Sequence, residues 1–193
     1  MLQKPTSNGN IYKKSKFGRR GKMSQIPIEI ERKYIIKKPD LDKLSLLDGY
    51  SKSEILQIYL VSEPGVTHRI RMRSSGSVVT YTETEKKRID RISAYEDERE
   101  ISGEEFERLK RLQRQGTRAV HKIRYTFTYN GKTFEIDEYP RWRKTCLMEI
   151  ELKTRDEKVD LPPYIEIMQE VTGNKSYSNA SMSRKFPDEY EKK

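Results

Sequence analysis

The residues of this chain best suited to chemistry come in single-sign groups two positions apart. Glu29 and Glu31 precede Lys33, and Arg69, Arg71 and Arg73 alternate with Ile70 and Met72. Glu96 groups with Glu98, Lys122 with Arg124, Glu135 with Asp137, and Glu149 with Glu151. In an extended strand, side chains at i and i+2 share a face roughly 6.5 Å apart. Like charges at that spacing repel by roughly 2–3 kcal/mol at an effective dielectric near 20. An ordinary antiparallel sheet with one face in water would do better by interleaving its signs. Paired acids are relieved by divalent cations, and paired bases by phosphate oxygens. The two needs coincide in a site for metal-bound polyphosphate.

Strands must carry these groups, and the sequence marks them. Ile28 to Ile36 alternates with period two, as does Tyr95 to Ile101, and strands are also expected over Ser53 to Val61, Thr67 to Arg73 and Val78 to Lys86. Further strands are expected over His121 to Tyr129, Thr133 to Tyr139 and Leu147 to Thr154. Glu63-Pro64-Gly65 and Ser75-Gly76-Ser77 mark turns, and Asn130-Gly131 is a hairpin signal. Helices are expected from Pro39-Asp40 through Leu47 to Gly49, and from Ser102 to Gly116. The second opens on a capping box with Glu105. A third is expected from Pro162 to Val171, closed by Gly173. The sum is an α+β domain of about eight strands and three helices.

In most of these strands the face opposite the charges is apolar: Ile70 and Met72; Ile123, Tyr125 and Phe127; Phe134 and Ile136; Met148, Ile150 and Leu152. If the charges meet a ligand, they point inward, and the apolar faces look outward to be covered by helices. A closed eight-stranded antiparallel barrel has room inside for one small ligand. Such an architecture also accounts for a chain that is 36% charged and only 33% hydrophobic, with a mean hydropathy of -0.97.

The formal charge is +10, of which residues 1–22 carry +7 through Lys4, Lys13, Lys14, Lys16, Arg19, Arg20 and Lys22, with no acid. That segment is expected to be a flexible basic arm, with Met23 as an alternative start. Residues 23–193 then form a single domain. Nucleic acid is a conceivable partner only through the arm. No stretch approaches the roughly 18 apolar residues that span a membrane, and no apolar signal core follows the basic start. Cys146 stands alone and His68 and His121 are the only histidines, so neither an internal disulfide nor a Cys/His zinc site is expected. A cytoplasmic location is expected, with any metal held by oxygen: magnesium, manganese or calcium.

Glu29-Ile30-Glu31-Arg32-Lys33 resembles the ExExK signature of the CYTH superfamily, the triphosphate tunnel metalloenzymes. Later blocks resemble that family in its own order: Gln57-Ile58-Tyr59-Leu60, Arg69-Ile70-Arg71, Lys86 after Thr82 and Thr84, Lys122-Ile123-Arg124-Tyr125 and Glu135-Ile136-Asp137. Glu149-Ile150-Glu151-Leu152 and Glu170-Val171-Thr172-Gly173-Asn174-Lys175 complete the series. The resemblance implies a tunnel binding a triphosphate-containing small molecule with Mg²⁺ or Mn²⁺. It implies that Lys33, Arg69, Arg71, Lys86, Lys122, Arg124 and Lys175 hold phosphate oxygens. Glu29, Glu31 and Glu151 would hold one metal. Glu98 or Glu96, with Asp137 and Glu149, would hold a second that positions and activates the attacking water. Glu29, Glu31 and Lys33 are the residues to which it assigns the catalysis.

The activity expected is hydrolysis of a triphosphate, inorganic tripolyphosphate first, because nothing in the chain suggests a dedicated organic pocket. Two relatives of that reaction use the same fold: an adenylate cyclase making cyclic AMP and pyrophosphate, and a thiamine triphosphatase. Trp142, the single tryptophan, can stack on an organic group or anchor a loop. A polyanion-binding module without turnover is the remaining alternative, and it gives no use for six carboxylates.

Overall fold

The computed structural model describes residues 26–191, so the arm expected over residues 1–22 lies outside the described residues. The chain runs β1 (Ile28–Lys37), α1 (Leu41–Leu44), β2 (Ser51–Tyr59), β3 (Val66–Ser75), β4 (Val78–Arg88) and β5 (Ser93–Glu100). It continues through α2 (Gly103–Lys110), β6 (Val120–Tyr129), β7 (Lys132–Glu138), β8 (Thr145–Glu151) and β9 (Ile167–Glu170). A 3-10 turn, Lys175–Tyr177, and α3 (Asn179–Met182) end it. The strands pair antiparallel in the order β5-β4-β3-β2-β6-β7-β8-β1-β9, and a further β5–β1 pairing closes eight of them into a barrel.

The closure is short. Ile28, Glu29 and Ile30 pair with Tyr95, Ala94 and Ser93, and backbone bonds Glu31 N to Ile92 O and Glu96 N to Pro27 O extend the seam. Beyond it the same edge of β1 passes to β9, which pairs with Tyr34, Ile35 and Ile36. A turn followed by β9 replaces the helix expected over Pro162 to Val171. That segment has apolar residues at helical spacing, but Pro162-Pro163 permits only a turn, with Ile165 N bonded to Pro162 O. The free edge of β1 then supplies strand partners for Ile167 to Glu170. The other two helices are shorter than expected. Ser102 caps α2 through Glu105 N, but the Glu105 carboxylate turns to Arg99 and Arg108 instead of completing the box.

The registers place all the charged groups on one continuous inner face. Lys33 stands opposite Glu149, Glu31 opposite Glu151, Arg124 opposite Asp137, Arg71 opposite Gln57, and Lys86 opposite Glu96. The outer face is apolar, as expected. Tyr34, Ile36, Tyr125, Phe127, Phe134, Ile136, Met148 and Ile150 pack under α1 and the 159–167 segment, while Ile58, Leu60 and Ile70 pack under Phe106 and Leu109 of α2. The third helix does not cover a face. The inward positions Ile35, Tyr59, Val120 and Leu147 join Tyr139, Trp142, Val171 and Met182, so one end of the barrel interior is an apolar floor under the C-terminal segment. No helix among the described residues is long and apolar enough to cross a membrane.

Asn130 and Gly131 both take positive φ, 47° and 70°, as the two-residue turn between β6 and β7 requires. Gly173, at φ 73°, brings the chain from β9 against the β4–β5 loop, where an added Cβ would lie 3.0 Å from the Arg91 carbonyl oxygen.

The inverted architecture makes an outward isoleucine a core residue. Ile70 sits between two inward arginines in sequence and is fully buried against α2. Ile70→Ala is expected to cost about 2–5 kcal/mol in urea unfolding, the range for truncating a buried isoleucine.

Candidate active site

Alternation along each strand projects the candidate residues inward, and the barrel's stagger decides which of them meet. Asp137 and Lys122 have no exposed side-chain surface and form an ion pair. Arg124 binds the same carboxylate through Nε to Oδ1 and Nη2 to Oδ2, both 2.7 Å, and reaches Glu149 Oε2 at 2.9 Å. Its Nη1 contacts Glu135. Lys33 Nζ lies 2.6 Å from Glu149 Oε1 and 3.7 Å from Glu31 Oε1. A second group lies across the β5–β1 seam. Lys86 bridges Glu29 and Glu96, and Arg69 Nη2 contacts Glu96 at 3.0 Å and Glu98 at 3.8 Å. The register with Thr82 and Thr84 on the inner face therefore selects Lys86 over Lys87. Thr84 Oγ1 donates to Glu98 at 2.7 Å.

Two regions of this interior lack their electrical complement. Along β3, Arg71 is pushed down to about 10 by burial, then by Arg69 and Arg124 and, after an opposing Glu98, by Arg73. Among the described residues, Nε of Arg69 and Nε of Arg73 are buried without a hydrogen-bond partner. Buried donors of this kind are costly unless an acceptor fills them. On the seam, Glu29 is pushed up to about 8 by burial, against Lys86 and with Glu96 and Glu31 adding to it. Glu96 is held down near 2, its burial outweighed by Arg69 and Lys86, so the two neighbouring carboxyls share a proton between them. Glu151 is raised by burial and then by Glu135, Glu96 and Glu31. Lys122 is pushed down to about 8 by burial and by Arg124. Asp137 and Glu149, bracketed by their cations, are lowered.

Among the expected metal ligands, Glu29, Glu31, Glu96 and Glu151 feel one another, whereas Asp137 and Glu149 are joined through Arg124. Among the described residues, no three acidic, histidine or cysteine side chains converge closely enough to enclose a metal ion as they stand. The donor chemistry nevertheless suits a hard divalent cation, because all candidate donors are carboxylate oxygens. The raised pKa values of Glu29 and Glu151 come first from burial and then from the neighbouring carboxylates.

Of the expected phosphate ligands, Lys33, Arg69, Arg71, Lys86, Lys122 and Arg124 are gathered inside. Lys175 is exposed at the start of the 3-10 turn, whose Tyr177 carbonyl lies 3.5 Å from Lys33 Nζ. Trp142 is a loop anchor: it packs on Tyr139, Phe186 and Tyr177 and donates to Pro187 O. Sequence reasoning assigned no role to Gln57, which is fully buried and accepts from both Arg69 and Arg71. Nor did it assign one to Thr172, whose Oγ1 accepts from the Lys33 amide.

The two arginines should respond oppositely to removal of charge. Arg124→Met leaves the buried Asp137 with Lys122 alone and removes a partner of Glu149 and Glu135, and is expected to cost about 3–5 kcal/mol. Arg71→Met relieves crowded guanidinium groups, so the urea midpoint of the ligand-free protein is expected to hold or rise. Glu29 supplies a pH test. A carboxyl with a raised folded pKa contributes stability that is fully present below its ordinary value of 4.5 and lost as pH rises through about 8. Thermal melts in EDTA are expected to fall between about pH 4.5 and about pH 8 and to level off above it. Glu29→Gln should flatten that fall, and added Mg²⁺ should oppose it.

A model of the CYTH domain matches residues 27–186. No curated protein matches the chain. Among solved structures the chain is similar to the inorganic triphosphatase NE1496, with 27% identity and a TM-score of 0.50 over 82% of this chain and 96% of that one. PH1819 from Pyrococcus horikoshii OT3 shares the fold at 24% identity and a TM-score of 0.52, over 66% of this chain and 80% of that one. So does a conserved hypothetical protein from Pyrococcus furiosus, at 23% identity and a TM-score of 0.50 over the same shares of the two chains. With the match running from the residue before β1 to beyond α3, around a barrel whose interior is charged, the chain belongs to the CYTH domain family.

Proposed function

We propose that this protein hydrolyses a linear triphosphate, inorganic tripolyphosphate foremost, using Mg²⁺ or Mn²⁺. The observation that carries the reading is the pair of uncompensated regions in one interior: guanidinium donors without acceptors along β3, and crowded carboxyls at the β5–β1 seam. An anion alone answers only the first, and a cation alone only the second. A metal–polyphosphate complex answers both. The similarity to a protein described as an inorganic triphosphatase supports the same substrate class.

In this reading Arg69, Arg71 and Arg124 clamp phosphate oxygens through their planar forks, and Lys33, Lys86 and Lys122 act as point charges beside them. Glu29, Glu31, Glu96 and Glu151 would hold a divalent metal, with Glu98, Asp137 and Glu149 as the expected second set. Bound there, the metal would supply charge neutralisation and activation of water. Water attacks the terminal phosphorus, the bridging P–O bond breaks, and orthophosphate and pyrophosphate leave. Lys33 keeps its charge throughout because Glu149 and Glu31 flank it. The apolar floor excludes water from one end of the interior, which strengthens every charge interaction above it. The reaction belongs in the cytoplasm, where such substrates and Mg²⁺ meet.

An inorganic substrate is preferred to a nucleotide or thiamine ester for a specific reason. The inward aromatic residues found, Tyr59 and Tyr139, lie in the floor, and Trp142 is committed to its own aromatic cluster. Those rings cannot serve as a platform for an organic group above the charges.

Purified protein with Mg²⁺ or Mn²⁺ is expected to release phosphate from tripolyphosphate, and EDTA should abolish the release. Glu29→Gln should lower kcat by about 10²–10³-fold, the size of effect seen when one stabilising group is removed from a preorganised site. Full activity in Glu29→Gln refutes the metal assignment. Cyclic AMP as the main product from ATP would make the protein a cyclase instead.

A further inference from the structure

Gln57 is a neutral side chain in the middle of a charged interior, and it is fully buried. Its Oε1 accepts from Arg71 Nε and Nη2, both at 3.4 Å, and from Arg69 Nη1 at 3.5 Å. Its Nε2 donates to the hydroxyl of Tyr59, which is itself locked in the apolar floor. The arginines fix which end of the amide faces them, because guanidinium nitrogens only donate and take the carbonyl oxygen, which leaves the NH₂ to donate to the Tyr59 hydroxyl. Arg71 has no ion pair among the described residues; this amide oxygen is the side-chain acceptor it has. A carboxylate at the same position would draw both arginines into an ion pair. An apolar group would leave them unsatisfied. A primary amide orients both while leaving the charge of Arg71 uncompensated; Arg69 keeps its pairing with Glu96.

We infer that Gln57, held by Tyr59, is a positioning residue that aims Arg71, with Arg69 beside it, at a phosphate group while keeping the positive charge of Arg71 free for it. This rests on the triphosphate reading of the same site. It goes further by assigning the strength of phosphate binding to the neutrality of one buried amide. The contacts are long for charge-assisted bonds, which should be near 2.7–2.9 Å. A phosphate oxygen can therefore outcompete the amide without rearranging it.

The test is Gln57→Glu, a change of the same shape. The new carboxylate can accept from Arg71 and Arg69, and the Tyr59 hydroxyl can reverse its role and donate to the other oxygen, so every partner stays satisfied. The expected result has two opposite signs. The urea midpoint of the ligand-free protein rises, because crowded guanidinium groups gain a counter-charge. KM for tripolyphosphate with Mg²⁺ increases at least about ten-fold while kcat changes less, because the lost interaction is one of binding. Gln57→Leu should lower the midpoint and also raise KM, and Tyr59→Phe should raise KM more weakly. If Gln57 merely fills space, Gln57→Glu destabilises the protein and leaves KM where it was; that outcome overturns the inference.

A separate arm uses sulfate as the probe, followed by calorimetry on the wild type and Gln57→Glu. Weaker sulfate binding by Gln57→Glu supports the positioning role even if the wild type proves inert toward tripolyphosphate, a result that would overturn only the proposed reaction. Equal sulfate binding by the two proteins, with equal KM values, overturns the role of Gln57 and leaves the reaction standing.

Discussion

The structure depends on mutual neutralisation inside a closed barrel. Lys122, Arg124, Asp137, Glu149 and Lys33 are all buried, and each is tolerable only because the others are there. A single buried charge costs several kcal/mol that a partner must offset. Arg124 is the centre of this arrangement, since three carboxylates from two neighbouring strands share its fork. Strand registers, inner and outer faces, and the closing β5–β1 ladder all have to agree for that fork to be filled. A slip of one residue in any strand would turn its charges into the apolar shell.

The same network is incomplete where chemistry is proposed. Around Asp137 the charges are matched and the carboxylates stay ionised. Along β3 and at the seam they are not, and the protonation equilibria of Arg71 and Glu29 shift in opposite directions. One interior thus holds a matched scaffold and an unmatched receptor. Perturbed groups next to well-satisfied ones are a common mark of a functional centre.

Much of this was legible in the sequence, because a period of two sorts residues onto faces without any knowledge of the fold. The pairs Glu29/Glu31, Arg69/Arg71 and Lys122/Arg124 could be placed together on that basis, and segregated sign told inside from outside. What period two cannot tell is how far along the barrel a residue sits. Ile35, Tyr59, Val120 and Leu147 share their face with the charges, so the floor they build was hidden. The meeting of Glu29 with Glu96 depends on the stagger at closure, which is a property of the whole sheet. The helix expected over Pro162 to Val171 failed because Ile165 and Met168, or Ile167 and Val171, fit helical spacing equally well. The vacant edge of β1 decided for a strand. Gln57 escaped notice as a site residue because a neutral amide carries no sign to segregate.

The division of one edge of β1 between two neighbours has a mechanical consequence. β1 carries Glu29 and Glu31 beside β5, then Lys33 where the edge changes hands, then Ile35 beside β9. Val171 N bonds to Lys33 O, and Arg32 clasps Glu170 through two hydrogen bonds. The C-terminal segment therefore works as a splice plate across the joint, taking the edge of β1 where β5 leaves it. The last stretch of chain thus grips β1 at Arg32 and Lys33, one residue past the carboxyl pair, and ties the strand that bears them to the aromatic floor.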